Sequence, residues 1–327
     1  MIKAYLYDAT SEDRELALAS ALPELAEDQI LWADVTGPTP EDFARLGELF
    51  GLSPQVLATV HRADSRFSLD NYGDFFHCDV MAVVRQPTAT RTIARTAAAV
   101  RLDFIVARQW LITLHPEGLT VLEQFRNRGK GETLIGALTG PQVAASLLDW
   151  HLEAFLGALE DLDRFIDGLD ARILSRSRVR DSLLDEVVRG RRYVSSLRRL
   201  LGPQRSIFYG VSRPDFSPIA GTDAAVHYTA LERRFERTLD AIEHGRDLMQ
   251  SSFDLFATRT AETTNMLIRR LTFLSVTLGG ISAIACLLSM ALPQPLARVG
   301  YAFWLVVGAL GATASIGLVV ARLRKWI

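Results

Sequence analysis

Cysteine is scarce in this 327-residue chain, which holds only Cys78 and Cys286. The first sits in a strand-like run and the second inside a long apolar stretch, so the two cannot pair. A disulfide framework is excluded, and a reducing compartment fits. Histidine is sparse as well, with six residues and no HExxH or CxxC spacing, which removes the common zinc motifs. No apolar stretch opens the chain; residues 1–20 are mixed and charged, so no cleaved signal is expected. Lysine is nearly missing, since 33 of the 36 basic residues are arginine, a usage typical of GC-rich genomes.

The most consequential absence is of charge near the C-terminus. Residues 271–297 and 299–321 form runs of 27 and 23 residues without a charged side chain. Soluble cores do not need runs that long, so a wholly soluble protein is excluded. Nothing before residue 270 reads as a membrane span, so a protein with spans throughout its length is excluded too. What remains is a large soluble body with a C-terminal hairpin of two spans, residues 271–292 and 299–321, joined by the short loop 293–298.

Charge divides along the same boundary. Beyond residue 260 the basic residues are Arg269, Arg270, Arg298, Arg322, Arg324 and Lys325, against Glu262 alone. Residues 1–260 therefore carry 36 − 6 = 30 basic and 38 − 1 = 37 acidic side chains, a net charge of −7. Such a body is a poor match for nucleic acid, which demands a positive surplus. The positive charges flank the hairpin on one side, at Arg269 and Arg270 and in the tail 322–327. The positive-inside bias then puts both termini in the cytoplasm and the loop outside. With the arginine usage, this favours the inner membrane of a bacterium.

The periodicity of the body changes along its length. Residues 1–135 read as an α/β domain with strand-like runs at 4–7, 30–34, 77–84, 100–106 and 110–114. Between the second and third of these, Thr39 caps a helix through Phe50, with Pro40 and two acids in its first turn and Gly51 at its end. Residues 136–220 turn helical. Val143, Leu147, Trp150, Ala154, Ala158, Leu162, Phe165, Leu169 and Ile173 form one apolar stripe. Residues 149–170 hold seven acids and one base, whereas 172–205 hold ten arginines and three acids. That contrast predicts an antiparallel hairpin, with a second helix over about 180–209, whose outer faces attract within one subunit or between neighbours. From Thr222 a further helical pattern continues without proline until Pro293. It makes a stalk over 221–270 that runs into the first span, roughly 100 Å of helix in all. So much apolar face predicts packing against copies of itself.

Within the first span, Thr272, Ser275, Gly279, Ser282, Cys286 and Ser289 recur at helical spacing and share one face. A polar stripe in a span is either helix–helix glue or the lining of a water-filled path. Asn265 and Asp254 extend it on the cytoplasmic side and favour the lining. The second span has no such stripe. Gly300, Gly308, Gly311 and Gly317 are small contact residues, and Tyr301, Trp304 and Trp326 mark the interfaces.

Several sequence blocks, in order, resemble those of the CorA-type divalent-cation channels and transporters, including the ZntB zinc-transport branch. They are Ile30-Leu31-Trp32-Ala33-Asp34-Val35, Asn71-Tyr72-Gly73-Asp74-Phe75-Phe76 and Trp110-Leu111-Ile112-Thr113-Leu114-His115. Arg198-Arg199-Leu200-Leu201-Gly202-Pro203-Gln204-Arg205 is closer to the zinc branch, and Thr264-Asn265, Leu271-Thr272 and the basic tail complete the series. The resemblance implies an α+β cytoplasmic domain with a mixed sheet, then a helical hairpin, a very long stalk helix and two C-terminal transmembrane helices. It implies a homopentamer in the bilayer that passes Mg2+ or Zn2+, or a similar ion such as Co2+ or Ni2+, along an axis lined by the first span. The divalent cation is then the transported ion, with no cofactor, no nucleic-acid partner and no enzymatic step. On this reading Asn265, Ile268, Leu271, Thr272, Ser275, Gly279, Ser282 and Cys286 line the pore, with Ile268 and Leu271 as hydrophobic gates. Asp254 is a cytoplasmic ion contact.

One departure bears on function. The family carries Gly-Met-Asn, or Gly-Val-Asn in the zinc branch, at the outer mouth. Here Ser289-Met290-Ala291 takes that position, Ala291 offers no side-chain acceptor, and Arg298 makes the outer loop positive. A second reading is therefore a member of the family that does not conduct and serves as a regulatory or scaffold component. A third, an anchored metalloenzyme using His77-Cys78-Asp79 or His151-Leu152-Glu153, meets an obstacle in the strand, where neighbours point to opposite faces.

Overall fold

A computed structural model of the chain describes residues 2–9, 13–16, 22–61, 67–84, 93–94, 96–116, 119, 122, 135–175, 181–291 and eight positions between 304 and 319. It divides into two compact units. One comprises Met1–Leu169 and Leu184–Ser252, and the other Asp170–Leu183 and Phe253–Ile327.

In the first unit, seven described strands make one mixed sheet. They are β1 (Ile2–Asp8), β2 (Arg14–Leu16), β3 (Gln29–Thr36), β4 (Leu69–Asn71), β5 (Phe75–Val84), β6 (Ala98–Ala107) and β7 (Trp110–His115), ordered β2-β1-β3-β7-β6-β5-β4. Only the β3–β7 pair is parallel. Its crossover carries the helices α1 (Pro40–Phe50) and α2 (Pro54–His61) onto one face. Thr39 begins α1 with a capping box to Asp42, and Gly51 ends it with φ +65°, a left-handed position that suits glycine. Ala33, Val35, Ile105, Ile112 and Leu114 of the sheet pack with Leu46, Phe50 and Val60 of these helices. β3 is buried on both faces, which explains why it reads as a continuous apolar run.

The opposite face meets the helices α3 (Gly140–Ser175), α4 (Asp181–Leu201) and α5 (Arg205–Val211). Phe76 of β5 packs edge-on against Phe216 at 5.4 Å, and the Gln204 amide donates to the Met81 carbonyl. The single helix expected over about 180–209 is interrupted. Gly202–Gln204 forms a 3-10 turn between α4 and α5, because Pro203 cannot donate the hydrogen bond that a continuous α-helix requires.

The long helix is α6 (Ala224–Ala291), 68 residues without a break. Its first part packs with α3 and α4 at two glycines. A Cβ on Gly190 would lie 2.7 Å from Met249 Sδ and 3.0 Å from Phe165, and one on Gly245 would meet Leu162, Leu159 and Val194 at 3.3–3.7 Å. Ion pairs also tie α3 and α4 to α6. The described inter-helix ion pairs run to α6, Arg234 binding Asp149 at 2.9 Å and also Glu153, and Arg198 binding Glu243 at 3.3 Å.

Candidate functional site

The predicted lining residues all lie on α6, within the second unit from Phe253 onward. Asn265, Ile268, Leu271, Thr272, Ser275, Gly279, Ser282 and Cys286 are exposed in the single chain, as is Asp254. The covered side of this stretch is a different one. Phe273, Thr277, Ile281 and Ala285, spaced by four, are the half-buried positions. At 100° per residue the polar stripe lies about 160° from that face. The stripe is therefore the side that the described residues leave open.

The hydroxyls along the helix differ in what they bond. Thr277, on the covered side, turns its hydroxyl back onto the Phe273 carbonyl at 2.8 Å. Thr260, Thr263 and Thr264 below the span do the same to carbonyls four residues earlier. Among the described residues, Thr272, Ser275 and Ser282 make no such bond and present free hydroxyls on the stripe. Among the described residues, a Cβ on Gly279 or Gly280 would meet nothing within 4 Å, so neither glycine serves a close approach to them.

Around the stripe runs an apolar band suited to hydrocarbon. Met266, Leu267, Ile268, Leu271, Leu274, Val276 and Leu278 are each more than half exposed. α6 has the length and apolar character to cross a membrane. The expected filter position, Ser289-Met290-Ala291, ends the helix, and the side chains there lie outside the described residues. So do the loop 293–298, the tail 322–327 and most of the expected second span, of which Trp304, Val307, Gly308, Gly311, Ala312, Ala314, Ser315 and Val319 are described and helical.

The body holds polar chemistry that the sequence did not reveal, because it is assembled across strands. His77 of β5 is fully buried between two carboxylates, with Nε2 3.0 Å from Asp103 and Nδ1 3.5 Å from Asp70. Burial opposes its charge, but hydrogen bonds to Asp103 and Asp70 and the attraction of Asp103 and Asp79 prevail and hold its pKa above the usual value. Arg101 neutralises Asp103 at 3.0 Å. On the other sheet face, Trp32 Nε1 donates to Thr113 at 2.9 Å, Thr113 donates to Asp34 at 2.7 Å, and His115 Nε2 lies 3.1 Å from Asp34. His151 of α3 is buried against Gln204 at 2.9 Å. Cys78 packs as a buried apolar side chain, its thiol pKa pushed well up by burial. Among the described residues no three His, Cys, Asp or Glu side chains are grouped to hold a metal. The anchored-metalloenzyme reading has no centre there.

An α+β body followed by a helix long and apolar enough to cross a membrane sets the class of the protein. The chain belongs to the family of CorA-like Mg2+ transporter proteins, whose family model matches residues 27–325. It is 21% identical over 326 residues to the cobalt/magnesium transport protein CorA of Thermotoga maritima, covering 99% of this chain and 91% of that one. The complete structure of the CorA magnesium transporter from Methanocaldococcus jannaschii shares the fold at a TM-score of 0.76 and 16% identity, over 99% of this chain and 98% of that chain. The ZntB cytoplasmic domain from Vibrio parahaemolyticus matches at 0.62 and 11% identity, over 80% of this chain and 99% of that chain.

Proposed function

We propose that this chain passes divalent metal cations across a membrane through the axis of a homopentamer, with the exposed stripe of α6 as its lining. The observation that carries this reading is the set of free hydroxyls at Thr272, Ser275 and Ser282 on the face the chain leaves open. A hydrated Mg2+ or Zn2+ loses its water reluctantly, so a path of hydroxyls and carbonyls with water retained suits it. Asn265 and Asp254 then meet the ion on the cytoplasmic side, Ile268 and Leu271 close the path when it is dry, and Ser289-Met290-Ala291 forms the outer mouth. Both termini face the cytoplasm of a bacterium in this arrangement.

Flux of Mg2+, Zn2+, Co2+ and Ni2+ into proteoliposomes, with and without a pH gradient, tests it. Entry of at least one of these ions is expected, and a well-folded oligomer inert to all four overturns the reading. The missing acceptor at Ala291 favours a second reading, a non-conducting regulatory member. Ala291→Asn separates the two, since it modifies an existing flux in the first case and creates one in the second.

A further inference from the structure

The two helices that pack on the first part of α6 turn faces of opposite sign to solvent. On α3 the outward positions include Glu160, Asp163 and Asp167, all exposed and spaced by three and four. Among the described residues none of these has an ion-pair partner within 4 Å. The Asp163 carboxyl is held above its usual pKa by partial burial and by repulsion from Asp167 and Glu160, only partly offset by His244. On α4 the outward positions include Arg191, Arg192 and Arg199, likewise exposed and without a described ion partner. Leu184 adds an exposed apolar side chain to that face.

Pairing of the two ridges within one chain is closed by the packing. Gly190 of α4 meets both Met249 of α6 and Phe165 of α3, and Gly245 of α6 meets Leu162 of α3 and Val194 of α4. All three helices share one core, so the outer faces of α3 and α4 point away from each other. A ring of identical chains needs a heterologous contact, one patch fitting a different patch on the next copy. An acidic ridge and a basic ridge on diverging faces of one chain supply such a pair. The body's net charge of −7 disfavours a polyanion as the partner of the arginines.

We infer that the acidic ridge Glu160/Asp163/Asp167 of one chain docks on the basic ridge Arg191/Arg192/Arg199 of the next copy. This interlock rests on the homo-oligomeric part of the proposed function. It adds a salt-sensitive contact in the body to whatever holds the spans together.

Charge reversal of the full chain in detergent tests it, with dissociation on dilution followed by light scattering at about 0.15 M salt. Arg191→Glu with Arg192→Glu, and separately Asp163→Arg with Asp167→Arg, are each expected to weaken association about ten-fold or more, by turning attractions into repulsions. The quadruple variant is expected to recover most of the loss, which a folding defect would not do. No loss in either pair, or loss without recovery, overturns the interlock. Loss on reversing the arginines alone also overturns it and points to an anionic ligand instead. Cation flux measured on the same preparations keeps the two readings apart. An inert protein that shows recovery sinks only the transport reading, and a conducting one without recovery sinks only the interlock.

Discussion

His151 offers a test of how the helices are tied to the sheet. Its ring is buried, 1% exposed, edge-on to Phe155 and stacked on Phe208. The Gln204 amide nitrogen already donates to the carbonyls of Leu200 and Met81. The Gln204 oxygen must therefore accept, and His151 Nε2 carries the proton. Nδ1 is buried without a partner among the described residues, so the ring is neutral in the fold. Burial pulls its pKa from 6.5 to about 4, against a smaller upward pull from Gln204. The sign follows from linkage. The stability due to the depressed pKa is complete above about 6.5 and is lost as pH falls toward about 4, because the unfolded chain takes up a proton that the folded chain refuses. At pH 4.5 the loss relative to pH 7.5 is about 2.5 kcal/mol. His151→Phe keeps an aromatic ring beside Phe208 but leaves the Gln204 oxygen without its donor, a cost of about 1–3 kcal/mol that does not vary with pH. Guanidinium unfolding of the full chain in detergent, followed by tryptophan fluorescence at both pH values, reads the difference between the two proteins. Other titrating groups cancel in that difference. The wild type should lose about 2.5 kcal/mol more than the variant on acidification, and an equal loss in both would refute the assignment.

The His77 pair gives the opposite sign. Its raised pKa contributes stability that is complete below about 6.5 and fades as pH rises through the higher folded value, so the destabilisation caused by His77→Gln should be larger at pH 6 than at pH 9 in thermal melts. Gly140→Ala places a Cβ 1.9 Å from the Ala107 carbonyl oxygen and 3.0 Å from that of Trp110. Backbone cannot yield as a flexible side chain does, so a loss of about 3 kcal/mol or more is expected in the same unfolding assay. Gly190→Ala, whose Cβ meets the thioether end of Met249, should cost less than Gly140→Ala because methionine can repack.

The parts of the fold that were legible in sequence are those where one local rule decides. Thr39, Pro40 and Asp42 write a helix start, Gly51 writes its end, and the unbroken apolar period from Thr222 writes α6. What was not legible depends on pairing at a distance. β2 and β4 are three-residue edge strands, too short to show alternation. Asp70 becomes a partner of His77 only because β4 aligns with β5 in that register, and the Asp79 and Asp103 carboxylates face one another by the β5–β6 register. The charge contrast between α3 and α4 was visible, but its resolution was not. Arg234, Glu236 and Glu243 of α6, far along the chain, all take described inter-helix ion pairs. In the span, spacing alone identified the stripe. Whether the stripe is glue or lining depends on what neighbouring copies bring to it, which spacing does not contain.

Gly279 can make that choice by experiment. It lies mid-stripe, and a Cβ there would meet nothing within 4 Å in the single chain. Gly279→Leu also improves helix propensity by a fraction of a kcal/mol, so harm arising inside one subunit is not expected. Any effect must then come from neighbouring copies or from the permeating ion. If the stripe is glue, close helix approach depends on the small residue. Leucine then weakens the oligomer in detergent, and any flux falls only as far as assembly does. If the stripe borders a water-filled path, leucine leaves assembly intact and closes the path, as a hydrophobic constriction excludes water and ions together. The expected result is a large fall in cation flux at unchanged oligomer content, with Gly279→Ser retaining flux because it keeps the wall small and polar. Dissociation on Gly279→Leu, or full flux through an intact Leu variant, removes this face from the path.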